Sequence, residues 1–262
     1  MIATTLARYS VVEAALPGET PVAAGVIVYQ PGTRDFALRF RRDWEQWAGD
    51  ESEVLEHLAA DFETKMREMG AGEWLAHCED FLSHAIRITD RREVLSQDLQ
   101  ATASRLYREH VRPAVLPFRT HLPLYSASVA AGKFLEDNEV EAGEWVETPA
   151  SLRLDERMFL ARITGRSMEP RIPDGSICVF RAGVTGSRQG KLLLVERQDL
   201  SESGGRYTVK RYRSEKKASG EEWAHQRITL EPLNPDFESW DLDSEDRFRI
   251  IGEFVLVLES TD

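Results

Sequence analysis

A serine and a lysine in the second half of the chain have the residue types that nucleophilic chemistry needs. Ser167 follows Gly165 by two positions, and Lys210 lies in the alternating segment 206–212. A serine hydroxyl needs a base to become a nucleophile, and no histidine is well placed nearby. Because side chains alternate along a strand, Lys210 shares one strand face with Thr208. The pair predicts a serine nucleophile with a lysine base.

Short apolar strands are expected to position the serine. One runs through 159–163 and a second through 177–180, with a turn between them. Gly165 allows the backbone to bend, and Pro170 interrupts strand pairing. Ser167 should therefore lie at a strand end, on an open rim.

These motifs resemble those of the LexA-type serine peptidases, a group that holds LexA, UmuD and the self-cleaving phage repressors. In chain order they are Gly165-Arg-Ser-Met-Glu-Pro170, Asp174-Gly175 and Thr208-Val-Lys210. The resemblance covers roughly the second half of the chain. It implies a mostly-β peptidase domain with a catalytic dyad of Ser167 and Lys210, and an oxyanion held by the backbone amides of Arg166 and Ser167.

An alanine–glycine bond upstream of the serine is a candidate for self-cleavage. In the family resembled, such a bond is the cleavage site, and Ala131-Gly132 lies 36 residues before Ser167. We expect an extended strand here, because an extended strand exposes its amide to attack. Alanine needs only a shallow pocket, and glycine allows close approach of the backbone. The alternative is a turn glycine between two strands.

The protonation state of Lys210 decides whether it can act as a base for Ser167. An unperturbed lysine, with a pKa near 10.4, is almost entirely charged at pH 7 and cannot accept a proton. Burial among apolar side chains would lower the pKa of Lys210. Lys210 would then take the proton of the Ser167 hydroxyl, and Ser167 would attack the carbonyl of Ala131. The alternative for Lys210 is a strand lysine that points to solvent.

The first half of the chain predicts a separate α+β domain over 1–111, with a small antiparallel sheet followed by helices. Strands are expected at 9–13, 22–29 and 36–40. Helices are expected over 52–69, over 73–88, and from an Asp90 cap to about His110. Three prolines predict a linker over 112–124, and the peptidase domain, with its cleavage-site strand, is expected over 125–262.

Composition limits the classes of partner. The net charge of −12 argues against broad contact with a phosphate backbone, and no helix-turn-helix is recognisable, so DNA binding is not assigned. Cys78 and Cys178 are expected to be buried free thiols. No metal or other cofactor is predicted, since the histidines are scattered. The absence of a signal-peptide pattern or a membrane span predicts a cytoplasmic protein with no membrane partner.

The sequence therefore predicts a self-cleaving LexA-like serine peptidase that regulates or releases its own N-terminal domain, in a stress or damage response. The resemblance also implies a homodimer through the peptidase half. It further implies slow cleavage until a partner, such as a RecA filament, favours docking of the cleavage strand. Two alternatives stay open. One is a binding module that keeps the fold without proteolysis, and the other is a peptidase that acts on other chains.

Overall fold

The computed structural model describes residues 4–81, 85–136, 143–197, 207–219, 222–242 and 248–259. The chain divides into two units, Met1–Ala114 and Val115–Asp262. Each unit has its own sheet and its own hydrophobic clusters. Among the described residues, each helix lacks either the length or the apolar character that a membrane-spanning helix needs.

The first unit consists of a sheet with helices on both faces. Its elements, in chain order, are β1 (Thr5–Ala14), β2 (Val22–Tyr29), β3 (Phe36–Phe40), α1 (Trp44–Ala48), α2 (Ser52–Glu56), α3 (Leu58–Met69), α4 (Ala71–Phe81), β4 (Ile86–Ile88), β5 (Arg92–Ser96) and α5 (Leu99–His110). The sheet order is β3-β2-β1, and both β4 and β5 pair with β1. The alternation of β2 sends Ile27 towards α3 and α4, and Val26 and Val28 towards α5. The predicted sheet followed by helices is confirmed.

The prediction for residues 86–96 was wrong. The structure has two short strands here, whereas the sequence predicted the end of one helix and a new helix capped by Asp90. Both strands pair with β1, and this pairing satisfies backbone groups along an otherwise open edge. The helix begins later, at Leu99, where the side chain of Asp98 accepts a hydrogen bond from the Ala101 amide at 2.8 Å.

The second unit is mostly β, as predicted. Its elements are β6 (His121–Tyr125), α6 (Ala127–Glu136), β7 (Glu144–Glu147), β8 (Met158–Arg162), β9 (Ile177–Ala182), β10 (Leu192–Arg197), β11 (Tyr207–Ser219), β12 (Glu222–Glu231), β13 (Trp240–Leu242) and β14 (Phe248–Glu259). The sheet order is β13-β12-β11-β10-β14-β9-β8-β6-β7. Strands β6 and β8 run parallel, and the other neighbouring pairs are antiparallel.

The segment predicted as a linker, 112–124, runs into this sheet. His121–Tyr125 forms β6, in which Leu122 is fully buried. Pro123, one of the three prolines that predict a linker, lies within this strand, since the fixed φ of proline is compatible with extended backbone. Burial of the apolar neighbours therefore outweighs the hydrogen-bond donor that proline lacks.

The sheet curves enough to bring distant strands together. Strands β10, β14 and β9 lie between β11 and β8 in the sheet order. The pairing of β14 is irregular against both β10 and β9. Such bulges increase the local bend and twist of a strand. The loop after β8 is thereby brought against β11, and Met168 from that loop shares a buried cluster with Val209 of β11.

Candidate active site

The loop between β8 and β9 carries Ser167 and is closed at both ends. The Ile163 amide donates to the Ser176 carbonyl at 2.8 Å, and the Gly175 amide donates to the Ile163 carbonyl at 2.9 Å. Gly165 has a φ of +104°, a conformation that favours glycine, and its amide donates to Asp174 Oδ1 at 2.6 Å. The Gly165 and Asp174 motifs therefore build the loop that presents Ser167.

The structure brings Ser167 and Lys210 together, 43 residues apart in sequence. Lys210 Nζ donates a hydrogen bond to Ser167 Oγ at 2.9 Å. Lys210 lies within β11, opposite Leu193 of β10, and only 4% of it is exposed. The geometry is that of a nucleophile within hydrogen-bond reach of its base.

Burial changes the protonation of Lys210. It lowers the pKa of the Lys210 amine from 10.5 to about 8, because the charged form loses its hydration. At pH 7 about a tenth of such lysines are neutral, compared with less than about 0.1% at the ordinary pKa. Lys210 can therefore take up a proton near neutral pH.

Trp240 lies against the same amine, although no sequence motif marks it. The centroid of its ring is 5.0 Å from Lys210 Nζ and 4.8 Å from Cζ of Arg197. A cation over an aromatic face is attracted to it, which favours the charged lysine. Burial of the amine acts in the opposite direction and lowers the pKa of Lys210.

Asn234 and its neighbour Leu233 hold the serine loop from the other side, and no sequence motif marks either residue. The Leu233 and Asn234 amides both donate to the Ser167 carbonyl, each at 3.0 Å. Asn234 Nδ2 donates to the Arg166 carbonyl at 3.0 Å. Asn234 lies outside the three motifs that carry the resemblance to the family.

The amides predicted to hold the oxyanion are available for that role. Within the described residues, neither the Arg166 amide nor the Ser167 amide donates to another protein group. The Arg166 side chain takes no part in this pair of amides. It is 70% exposed and forms an ion pair with Glu169 at 3.0 Å. Two adjacent amides without a protein acceptor can bind a developing negative charge on oxygen.

The two cysteines are buried and unbridged, as predicted. Burial raises the pKa of Cys78 to about 11 and that of Cys178 to about 12. Both thiols therefore stay protonated near neutral pH and are poor nucleophiles. Serine is the better candidate nucleophile in this chain.

A family model described as Peptidase S24-like matches residues 123–255, just over half of the chain. The chain belongs to this family. The predicted resemblance to LexA- and UmuD-like proteins is thus confirmed for the C-terminal half. A comparison with curated proteins gave no match.

The S24-like region runs from β6 into β14, so it contains Ser167, Lys210, Trp240 and Asn234. It also contains Ala131 and Gly132. The first unit, Met1–Ala114, lies outside the match.

The conformation predicted for the cleavage segment was wrong. Ala131 and Gly132 lie in the helix α6, not in an extended strand. Alanine has the highest helix propensity, and the spacing of Ala127, Ala130, Ala131 and Phe134 suits one helix face. Ala130 and Ala131 are almost fully buried, in the same cluster as Met168 of the S24-like serine loop. The peptide bond between Ala131 and Gly132 is therefore helical in this structure, and the Ser167 hydroxyl cannot attack its carbonyl in this conformation.

Proposed function

We propose that this S24-like protein is a serine endopeptidase that cleaves its own Ala131-Gly132 bond. The observation that carries the proposal is the 2.9 Å hydrogen bond from the buried Lys210 amine to Ser167 Oγ. A lysine with a pKa of about 8 can work as a base without a histidine. The coarser assignment, an S24-like serine peptidase, follows from the family match.

The proposed reaction begins when neutral Lys210 takes the hydroxyl proton of Ser167. Ser167 Oγ then bonds to the carbonyl carbon of Ala131, and the amides of Arg166 and Ser167 hold the oxyanion. The carbon–nitrogen bond breaks, and the Lys210 ammonium returns its proton to the amine of Gly132. Water, activated by the neutral lysine, finally hydrolyses the ester between Ser167 and Ala131.

Helix α6 supports a latent form of this peptidase. In a helix the backbone carbonyls and amides bond to each other, so the segment must unwind before Ala131 can dock beside Ser167. The cleavage rate then scales with the fraction of unwound, docked chains. A partner that binds this form more tightly would activate cleavage. Three expectations stay predictions: that the protein is a regulator triggered by stress, that an activator such as RecA promotes cleavage, and that the second unit forms a homodimer.

The burial of Ala131 also favours a second candidate function. If α6 never unwinds, the dyad is left to act on other chains. The S24-like family also includes inactive members, so a binding role on the same fold is a third possibility. Only the first of these three functions predicts that the purified chain cuts itself.

We expect incubation of the purified full chain near pH 9 to give two fragments of 131 residues, the second beginning at Gly132. Intact mass and N-terminal sequencing measure this directly. A first-order rate constant that does not change on dilution would support cleavage within one chain. Fragments cut at another bond would contradict the assignment of Ala131-Gly132, and a rate that falls on dilution would favour cleavage between chains.

The helix predicts the effect of two substitutions at Lys133. Lys133→Gly and Lys133→Ala both remove the Lys133 amine and its contact with the Tyr125 ring, and they differ from each other only by the Cβ methyl group. They differ by about 1 kcal/mol in helix propensity, so the glycine variant should unwind α6 about fivefold more often. We therefore expect Lys133→Gly to cleave itself about fivefold faster than Lys133→Ala, measured by intact mass over time. Equal rates would show that unwinding of α6 does not limit cleavage.

A further inference from the structure

Four hydrogen bonds reach the carbonyls of Arg166 and Ser167. One is local, from the Glu169 amide to the Arg166 carbonyl at 3.2 Å, and the other three come from a distant turn. The Leu233 and Asn234 amides reach the Ser167 carbonyl, and Asn234 Nδ2 reaches the Arg166 carbonyl, all at 3.0 Å. The donors come from the turn between β12 and β13, 68 positions along the chain from Arg166. Both peptide planes that follow Arg166 and Ser167 are therefore fixed by the same turn.

Because the peptide bond is planar, fixing the Arg166 carbonyl also fixes the direction of the Ser167 amide. In a planar trans peptide the carbonyl and the amide proton point to opposite sides. The Arg166–Ser167 bond is trans, since the cis bond recorded in the described chain is Glu169–Pro170. Holding the Arg166 carbonyl against Asn234 therefore aims the Ser167 amide away from Asn234. That amide has no acceptor among the described protein groups.

The orientation of the Asn234 side chain is itself determined by a hydrogen bond. Its Oδ1 accepts from the Asp236 amide at 3.0 Å, so the other end of the carboxamide, Nδ2, must face Arg166. Asparagine supplies both an acceptor for the turn and a donor for the loop. An aspartate of the same shape keeps the acceptor but, when ionised, has no proton to donate.

We propose that Asn234 is a positioning residue for the peptidase reaction: through the Arg166 carbonyl it holds the Ser167 amide in the orientation that binds the oxyanion. The role rests on the proposed function. It requires no contact between Asn234 and the substrate. Of the two amides that would bind the oxyanion, Asn234 orients only that of Ser167. The Arg166 amide belongs to the preceding peptide plane, which Asn234 does not contact.

The test compares self-cleavage of the full-length wild type with Asn234→Asp and Asn234→Ala across pH 6–10. Rates are compared on the plateau at high pH, where a pKa shift from the new aspartate no longer affects the fraction of neutral Lys210. Glu238→Gln changes an exposed carboxylate near the same turn and serves as the control. We expect both Asn234 variants to lose about 10- to 100-fold on the plateau, less than or comparable to the loss of a whole oxyanion donor.

Other readouts separate positioning from folding. Thermal unfolding of Asn234→Asp should fall by no more than a few degrees and no further than that of Asn234→Ala, because the hydrogen bond to Arg166 is lost while the Asp236 hydrogen bond is kept. The midpoint of the pH profile of Asn234→Ala should stay that of the wild type, because the dyad itself is unchanged. If the wild type cleaves and Asn234→Asp reaches the same plateau, the positioning role is wrong while the proposed function stands. A wild type that stays uncut at every pH overturns both.

Discussion

Replacing Ser167 with alanine is expected to leave the chain uncut at every pH, with a loss of at least about 1,000-fold in the rate of self-cleavage. The nucleophile is removed, and removal of a catalytic nucleophile costs factors of this size or more in serine peptidases. Intact mass of the purified variant, sampled over days, measures the effect. Any cleavage that continues at Ala131-Gly132 would show that another group attacks the bond.

The fold should survive this change, so the loss can be assigned to chemistry. Ser167→Ala removes one hydrogen bond, from Lys210 Nζ, and a typical hydrogen bond contributes about 1 kcal/mol to stability. Thermal unfolding followed by circular dichroism should therefore change by a few degrees at most. Ser187→Ala is the matched control, because Ser187 is an exposed serine in the same unit. It should cleave at the wild-type rate.

Replacing Lys210 with methionine is expected to abolish cleavage to a similar extent. Methionine fills nearly the same space but cannot accept a proton, so Ser167 keeps its hydroxyl proton. Lys210→Arg should fail as well, because a guanidinium stays charged at every working pH. Cleavage by either variant at more than about 1% of the wild-type rate would contradict the role of Lys210 as the base.

The methionine variant also separates catalysis from stability. The buried Lys210 amine has lost much of its hydration and has one hydrogen-bond partner among the described residues, Ser167 Oγ, so methionine should leave the melting temperature unchanged or raise it. Lys65→Met replaces an exposed lysine of the first unit and controls for the loss of one positive charge. A Lys210→Met chain that is folded but uncut would show that the substitution blocks the cleavage reaction and not folding.

The fold was predictable where the signal is local. Strands β2 and β3 were predicted with their observed bounds, because they are short apolar runs and a Pro-Gly turn, Pro31-Gly32, separates them. Strands β4 and β5 were missed, because they are short and owe their conformation to pairing with β1, more than 70 positions earlier in the chain. Helix α6 was missed for the opposite reason. The resemblance suggested an extended strand, whereas the alanine-rich sequence itself favours a helix.

The site was predictable only in its motif residues. Ser167 and Lys210 were found because their motifs occur in the order that the family uses. Trp240 and Asn234 carry no local motif, and they reach the dyad and its loop only because the sheet curves and the β12–β13 turn folds back. Such contacts depend on the whole topology of the second unit, which one sequence read in short windows does not specify.

The central claim is that neutral Lys210, with its pKa lowered by burial, activates Ser167. The pH dependence of wild-type self-cleavage tests it most directly. The base is the deprotonated amine, so activity appears as pH rises through a pKa of about 8. We expect the rate to rise about tenfold per pH unit below this value, to level off above it, and to be about 90-fold higher at pH 9 than at pH 6. A flat profile, or one that keeps rising beyond pH 10 as for an exposed lysine, would contradict the account.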